Sequence, residues 1–337
     1  MKKFINDPDK VVDEALEGYV AAYPDVVEVL PDARVLVRKN PPDFAKVGII
    51  TGGGSGHKPA FLGYVGEGLC DAAAIGEIFA APPADWIYKG IKKINMGRGV
   101  ICLYGNFSGD IMNFRMAQTL AQADGIEVDE VIAKDDIASA PKENMQNRRA
   151  IAGEVIMWKV GGAAAEEGMS LKEVKEVAQR AINNTRSFGV GTYPCIIPAT
   201  GKPSFKLGED EMEIGIGHHG EPGIKKEKMK SADQTTEMLM DAILEDLPFK
   251  NGDTVSVLIN GLGATPFQEL FIINRKVSQI LEKYKIKKLI TYVGEFFTSL
   301  EMAGFSITLT KVDDDIARLL LAKADSPMFK QFDLNKK

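Results

Sequence analysis

Cysteine is nearly absent from this chain. Cys70, Cys102 and Cys195 are odd in number, widely spaced and never part of a C-x-x-C pair. That excludes a disulfide framework and gives no support to a zinc site, so no metal is expected. Cys102 lies in the apolar run Val100-Ile101-Cys102-Leu103 and reads as core. No stretch of about 20 apolar residues is available to span a bilayer. Residues 1–7 hold no long apolar segment of the signal-peptide kind, so a cytoplasmic protein is expected. Positive charge is not in excess either. The 41 Lys and Arg against 47 Asp and Glu leave a net charge of −6, which disfavours the basic patches that nonspecific nucleic-acid binding needs. The short run Lys225-Lys226-Glu227-Lys228 reads as a solvated turn.

A nucleotide cradle is also missing. Gly56-His57-Lys58-Pro59 lacks the Gly-Lys-Ser/Thr order of a phosphate loop. Gly215-Ile216-Gly217-His218-His219-Gly220 formally matches G-x-G-x-x-G, but Glu221-Pro222-Gly223 follows. A turn there cannot open the helix that a dinucleotide pyrophosphate requires.

Histidine is as scarce as cysteine, and its placement is informative. All three histidines stand in glycine-rich segments: His57 after Gly52-Gly53-Gly54-Ser55-Gly56, and His218 and His219 between Gly217 and Gly220. Glycine allows a backbone to come close to a small ligand. Imidazole suits proton transfer or nucleophilic attack near neutral pH. Two such segments far apart in sequence point to one pocket assembled by folding, the alternative being two tight turns with incidental histidines. If the backbone is extended at His218-His219, at most one of the two rings faces that pocket.

The remaining pattern is α/β. With 337 residues and 45% hydrophobic content, the length is that of about two domains. Residues 47–51 read as a buried strand running into the first glycine loop, and Pro59 suits the first turn of a following helix. Residues 99–104 form a second strand ending in Gly105-Asn106-Phe107-Ser108-Gly109-Asp110, with a helix from about Ile111. Ser170-Leu171-Lys172-Glu173 is a capping box, and Leu171, Val174, Val177, Ala178, Ala181 and Ile182 behind it keep helical spacing. Residues 212–216 alternate like a strand and deliver the second histidine loop. Ser231 starts another capped helix. Residues 254–259, 288–293 and 305–309 are further strands, and Thr265 is expected to cap a helix. A domain boundary is placed at 187/188, giving α/β domains over 1–187 and 188–337 with the ligand pocket built from loops at strand ends. Asp110, at a strand-to-helix junction, reads equally well as an N-cap carboxylate or as a catalytic one.

Read together and in order, these segments resemble the substrate-binding subunit of the dihydroxyacetone kinase family. The resemblance is carried by Gly52 to His57, by Gly105 to Asp110 with Asn113-Phe114, and by His219-Gly220-Glu221-Pro222-Gly223. Asn260-Gly261-Leu262-Gly263-Ala264-Thr265 and Ala303-Gly304-Phe305-Ser306 extend it across more than 250 residues. It implies that His219 adds to a ketone as a covalent hemiaminal, and that Asp110 is the general base on the hydroxyl receiving phosphate. His57 would orient that hydroxyl, and Gly53, Gly54 and Gly109 would belong to the substrate-binding segments.

No nucleotide would bind this chain. ATP, or tightly held ADP recharged by a phosphotransferase-type protein, would sit with Mg on a separate nucleotide-binding subunit, and the present subunit would form a homodimer. Two positions depart from the family pattern: Lys58 stands where glutamate is usual, and Gly105 where many members have a substrate-contacting lysine. The stretch Tyr104-Gly105-Asn106-Phe107 resembles a branch linked with four-carbon ketoses such as erythrulose. The substrate expected is a ketose of three or four carbons. A ketose-sensing transcriptional coactivator is the other reading.

Overall fold

In the computed structural model, which describes residues 2–336, two mixed sheets flank a shared layer of helices. The first half runs α1 (Val11–Ala22), β1 (Val27–Val29), β2 (Val35–Arg38), β3 (Gly48–Ser55), β4 (Ala72–Ile78), α2 (Ala84–Ile94), β5 (Val100–Gly105), α3 (Ser108–Ala123), β6 (Val128–Ala133), α4 (Glu154–Glu166) and α5 (Leu171–Asn183). Its six strands are ordered β1-β2-β4-β3-β5-β6. β4, β3, β5 and β6 are parallel, and the β1 and β2 edge is antiparallel. Ile87 and Ile91 of α2 with Phe114, Ala117 and Ala121 of α3 cover one face, against Val35, Ile50, Val100 and Cys102. α1, α4 and α5 cover the other.

The second half runs β7 (Thr185–Tyr193), the short pair β8 (Ile196–Ile197) and β9 (Lys202–Pro203), β10 (Glu211–Ile214), β11 (Lys225–Lys228), α6 (Ala232–Asp246), β12 (Thr254–Gly261), α7 (Phe267–Lys283), β13 (Lys287–Gly294), β14 (Ala303–Lys311) and α8 (Asp314–Leu321). Its six-stranded sheet is ordered β11-β10-β7-β14-β12-β13, with only β12 and β13 parallel. Leu239, Met240 and Ile243 of α6 and Leu270, Ile273 and Val277 of α7 cover its apolar face. The opposite face carries hydroxyls that satisfy one another: Thr185 with Thr310 at 2.8 Å and Ser187 with Thr308 at 2.7 Å.

The helices between the sheets explain how the halves are joined. α4 is buried over Glu154 to Ala165 and apolar there except for Glu154 and Lys159, as expected of a helix enclosed by protein all round. Ile316, Leu319 and Leu320 of α8 return from the far end of the chain into the same core. The boundary expected at 187/188 falls inside β7, which is paired with β14 from Thr185 onward.

Several local expectations need correction. β3 continues through Gly52, Gly53 and Gly54 to Ser55, so these glycines are strand, held by pairing with Ala74 and Ile75 of β4. No α-helix follows Pro59. The chain makes turns and a short 3₁₀ segment, Leu62–Tyr64, whose residues are all buried. α3 starts at Ser108, three residues before the expected position, so Asp110 sits inside its first turn and Phe107 is the cap residue. That removes the N-cap reading of Asp110. Thr265 does not cap α7. Pro266 does, and the Thr265 hydroxyl instead donates to the Gly304 carbonyl and accepts from its N–H. The capping boxes at Ser170 and Ser231 are both formed.

Candidate active site

The ends of β3 and β5 and the turn after β10 meet at one cavity. β3 delivers Gly54 and, two residues past its end, His57. β5 delivers Gly105, and the start of α3 delivers Asp110. The turn after β10 supplies His218 and His219.

Gly53 and Gly109 do not line this cavity, unlike Gly54. Phe61 lies over Gly53, with ring carbons 2.5 and 2.6 Å from where a Cβ would stand. Gly109 faces Ala81. Lys58 lies beside a neighbouring cleft with Glu295, and burial lowers the pKa of its amine. Its carbonyl accepts from Thr298.

Both adjacent histidines line the cavity, contrary to the extended-strand expectation. The backbone there is turned, with Gly217 N–H donating to the Glu221 carbonyl and Gly220 N–H to the Gly217 carbonyl. A turn releases the alternation that an extended chain would impose. The two rings have different surroundings. His218 stacks on Phe297 with centroids 4.3 Å apart, and neither of its nitrogens has a partner among the described residues. Burial, and then the neighbouring His219 ring, push its pKa down to about 3, so it is neutral. His219 is less enclosed and fully partnered. Its Nδ1 lies 2.9 Å from Glu221 Oε1, and its Nε2 lies 3.1 Å from Nε2 of His57.

The tautomers follow from these partners. A carboxylate only accepts, so Nδ1 of His219 carries the hydrogen and Nε2 presents a lone pair. Glu221 also accepts the His219 backbone N–H at 2.9 Å. Burial would raise the Glu221 pKa, but the hydrogen bond from the His219 ring and the charge of Arg149 outweigh it and hold the carboxyl far below its ordinary range. On the other side, the Thr298 carbonyl accepts from Nδ1 of His57 at 2.8 Å, so Nε2 of His57 also presents a lone pair. Burial first, and then the two other imidazoles, push the His57 pKa well down. The two Nε2 lone pairs therefore face each other, with the nitrogens 3.1 Å apart.

Asp110 faces the same space differently. Its Oδ1 is buried without a partner, and burial raises its pKa to about 7, against a smaller opposing influence of His219. A carboxyl balanced near neutrality is suited to accept a proton. Phe79 and Phe107 place ring edges 5.0 and 4.9 Å from His219, and Phe297 packs on His57 at 5.0 Å. These rings exclude water around the imidazoles.

The residues that sequence reasoning assigned no role are Glu221, which fixes His219, and Glu154, a second buried carboxyl on the cavity wall. The signal for Glu154 was available as a lone acid heading the apolar run up to Ala165. Among the described residues no group of three or more His, Cys, Asp or Glu side chains is placed to hold a metal ion. No helix among them is long and apolar enough to cross a membrane.

The Dak1 domain is matched over residues 17–328. The chain belongs to the Dak1 family. It is 43% identical to the dihydroxyacetone-binding subunit DhaK of PTS-dependent dihydroxyacetone kinase 1 from Listeria innocua, over 94% of this chain and 95% of that one. It is 39% identical to the L-erythrulose kinase of Pectobacterium atrosepticum, over 98% of this chain and 56% of that longer protein. Among solved structures, the dihydroxyacetone kinase operon co-activator Dha-DhaQ superposes with a TM-score of 0.90 at 33% identity, covering 97% of this chain and 100% of that one. At the family level this Dak1 chain is of the kinase type, similar to kinases and kinase subunits.

Proposed function

We propose that this Dak1 chain captures a ketose of three or four carbons and presents its terminal hydroxyl for phosphorylation. The observation that carries this reading is the imidazole of His219, held with Nδ1–H on Glu221 and a free lone pair on Nε2 facing His57. Nε2 of His219 adds to the ketone carbon, the C=O π bond opens, and the oxygen takes a proton to become a hydroxyl. The ring becomes cationic as the C–N bond forms, and the Glu221 carboxylate offsets that charge. Nδ1 then gives up its proton to solvent, replacing the one the oxygen took from solvent, and a neutral hemiaminal results with no net proton consumed. Polyols have no carbonyl and cannot be held in this way.

His57 accepts a hydrogen bond from the terminal hydroxyl on its free Nε2 and orients it. As the phosphoryl group arrives, the hydroxyl turns its single O–H from His57 to Asp110, which takes the proton. The donor we propose is a separate nucleotide-binding subunit carrying ATP, or ADP recharged by a phosphotransferase-type protein, with Mg. The capturing subunit would work as a homodimer in the cytoplasm. His218 is the rival nucleophile, but no carboxylate holds its tautomer and Phe297 covers its face.

Crystals soaked separately with dihydroxyacetone and erythrulose test the capture step. Continuous density from the ketone carbon to Nε2 of residue 219, lost in His219→Ala, is expected. Density to His218 or His57 would overturn the assignment. A second reading, a ketose sensor acting in transcription, is favoured by the similarity to a co-activator along that chain's whole length. Turnover with a nucleotide-binding subunit separates the two, since a sensor gives capture without product.

A further inference from the structure

One carboxyl on the cavity wall has no part in the chemistry above. Glu154 opens α4, is 1% exposed, and its Oε2 has no hydrogen-bond partner among the described residues. Its Oε1 lies 2.5 Å from where a Cβ on Gly105 would stand, and the Ala150 methyl lies 3.1 Å from the same point. Any side chain at 105 would therefore displace Glu154. The absence of one leaves room for the carboxyl against the end of β5, on the cavity surface with Asp110.

The start of α4 is held in place independently. The Asp135 carboxylate accepts from the backbone N–H groups of Ile151 at 3.2 Å and Gly153 at 2.9 Å. Burial, and then the charges of Asp135 and Asp110, raise the Glu154 pKa well above the ordinary carboxylate range. That shift favours the carboxylic acid form, with one O–H to donate and lone pairs to accept. That combination matches an alcohol, which also both donates and accepts.

We propose that Glu154, seated against Gly105, is a specificity-determining residue that hydrogen-bonds the additional hydroxyl of a four-carbon ketose. The inference rests on ketone capture at His219. With the carbonyl carbon fixed there and one terminal hydroxyl between His57 and Asp110, a three-carbon ketose has nothing left to offer the Glu154 wall but its second terminal hydroxyl. A tetrulose carries one more carbon and one more hydroxyl on that side. A buried acid that can both donate and accept is met by one hydroxyl of the shorter ligand and by two of the longer one, and that difference discriminates between them.

The test is titration calorimetry of the full chain with dihydroxyacetone and with each erythrulose enantiomer, for wild type, Glu154→Ala, Glu154→Gln and Gly105→Ala. Wild type is expected to favour one erythrulose enantiomer. Glu154→Ala should lower that preference about ten- to a hundredfold, with dihydroxyacetone binding weakened much less than erythrulose binding. Glu154→Gln, which still donates and accepts, should retain most of the preference, and Gly105→Ala should erode it by moving the carboxyl. Equal weakening of both ketoses in Glu154→Ala, or an unchanged ratio, overturns the assignment while leaving ketone capture standing. Wild-type protein that captures no ketose, or that captures it equally well as His219→Ala, overturns the capture reading and this inference together.

Discussion

The two walls of the cavity differ in how their polar groups are satisfied. On the His219 side the Nδ1 atoms of the two imidazoles, His57 and His219, are held by the Thr298 carbonyl and by Glu221, and His218 alone has no partner among the described residues. On the side built by β5, α3 and α4, Asp110 Oδ1 and Glu154 Oε2 have none. Buried polar atoms are rarely left unpaired, because each costs about 1–3 kcal/mol. The partnered wall is organised in advance and holds one nucleophile in one tautomer. The unpartnered wall is complete only with a ligand. The residues proposed to attack the substrate and those proposed to read it are thus separated by their state of satisfaction, as well as by the half of the chain that supplies them.

Asp110→Asn should break this contrast most severely. Asparagine keeps the shape and a hydrogen-bonding oxygen but cannot take a proton. Turnover with the nucleotide-binding partner is expected to fall by about 10²–10⁴-fold while ketone capture persists. Full turnover in this variant would remove Asp110 as the base. The pH profile gives an independent reading. The base works only when ionised, and its pKa is raised to about 7, so the wild-type rate should rise with pH and reach half its plateau near that value. A rate already at its plateau at pH 5 would contradict the assignment.

Glu221→Gln tests the partnered wall, with a smaller expected effect. Glutamine can present its carbonyl to Nδ1–H, so the tautomer survives, but the negative charge facing the forming cation does not. Removing an outer partner of this kind costs about 10–100-fold in a comparable setting. That loss should appear in the affinity for ketones, with the turnover of bound ketose changing much less. A loss confined to turnover would place Glu221 in phosphoryl transfer instead.

This asymmetry also explains what could be read in the sequence. Strands, helices and the capping boxes at Ser170 and Ser231 follow periodicity and local side-chain chemistry, and they were legible. The approach of the His57, Asp110 and His219 segments was suggested by glycine and histidine placement. The extension of β3 through Gly52 to Gly54 was hidden, because glycine disfavours strand on its own and only pairing with β4 imposes it. The early start of α3 was hidden because its cap, Phe107, makes no side-chain hydrogen bond. The roles of Glu154 and Glu221 depend on burial and on partners distant in sequence or fixed by a turn. A glutamate at a helix start or before a proline ordinarily reads as surface.

The same contrast between paired and unpaired burial occurs away from the cavity, in two lysines that are each 1% exposed. Lys46 has the Asp71 carboxylate at 2.6 Å. Lys159, on α4, has only the Leu319 carbonyl of α8 at 2.7 Å. Burial lowers the Lys159 pKa from 10.5 to about 7, against weaker opposing effects of Asp333 and Glu167. Between about pH 7 and 10.5 the unfolded chain therefore binds more protons at this site than the folded one, and its contribution to stability rises with pH across that window. Below it, the folded protein bears the full cost of a buried cation. Lys159→Met, which keeps the aliphatic length and removes the charge, should stabilise the fold by roughly 1–3 kcal/mol at pH 6, with the lost carbonyl contact offsetting part of the gain. The difference from wild type should shrink as pH rises from 7 toward 10.5. Lys46→Met should act in the opposite direction, because it deprives a buried carboxylate of its partner. Denaturant melts of both variants at pH 6 and pH 9 read the two signs directly. Destabilisation by Lys159→Met at pH 6 would mean that its bond to α8 outweighs the cost of burying the charge.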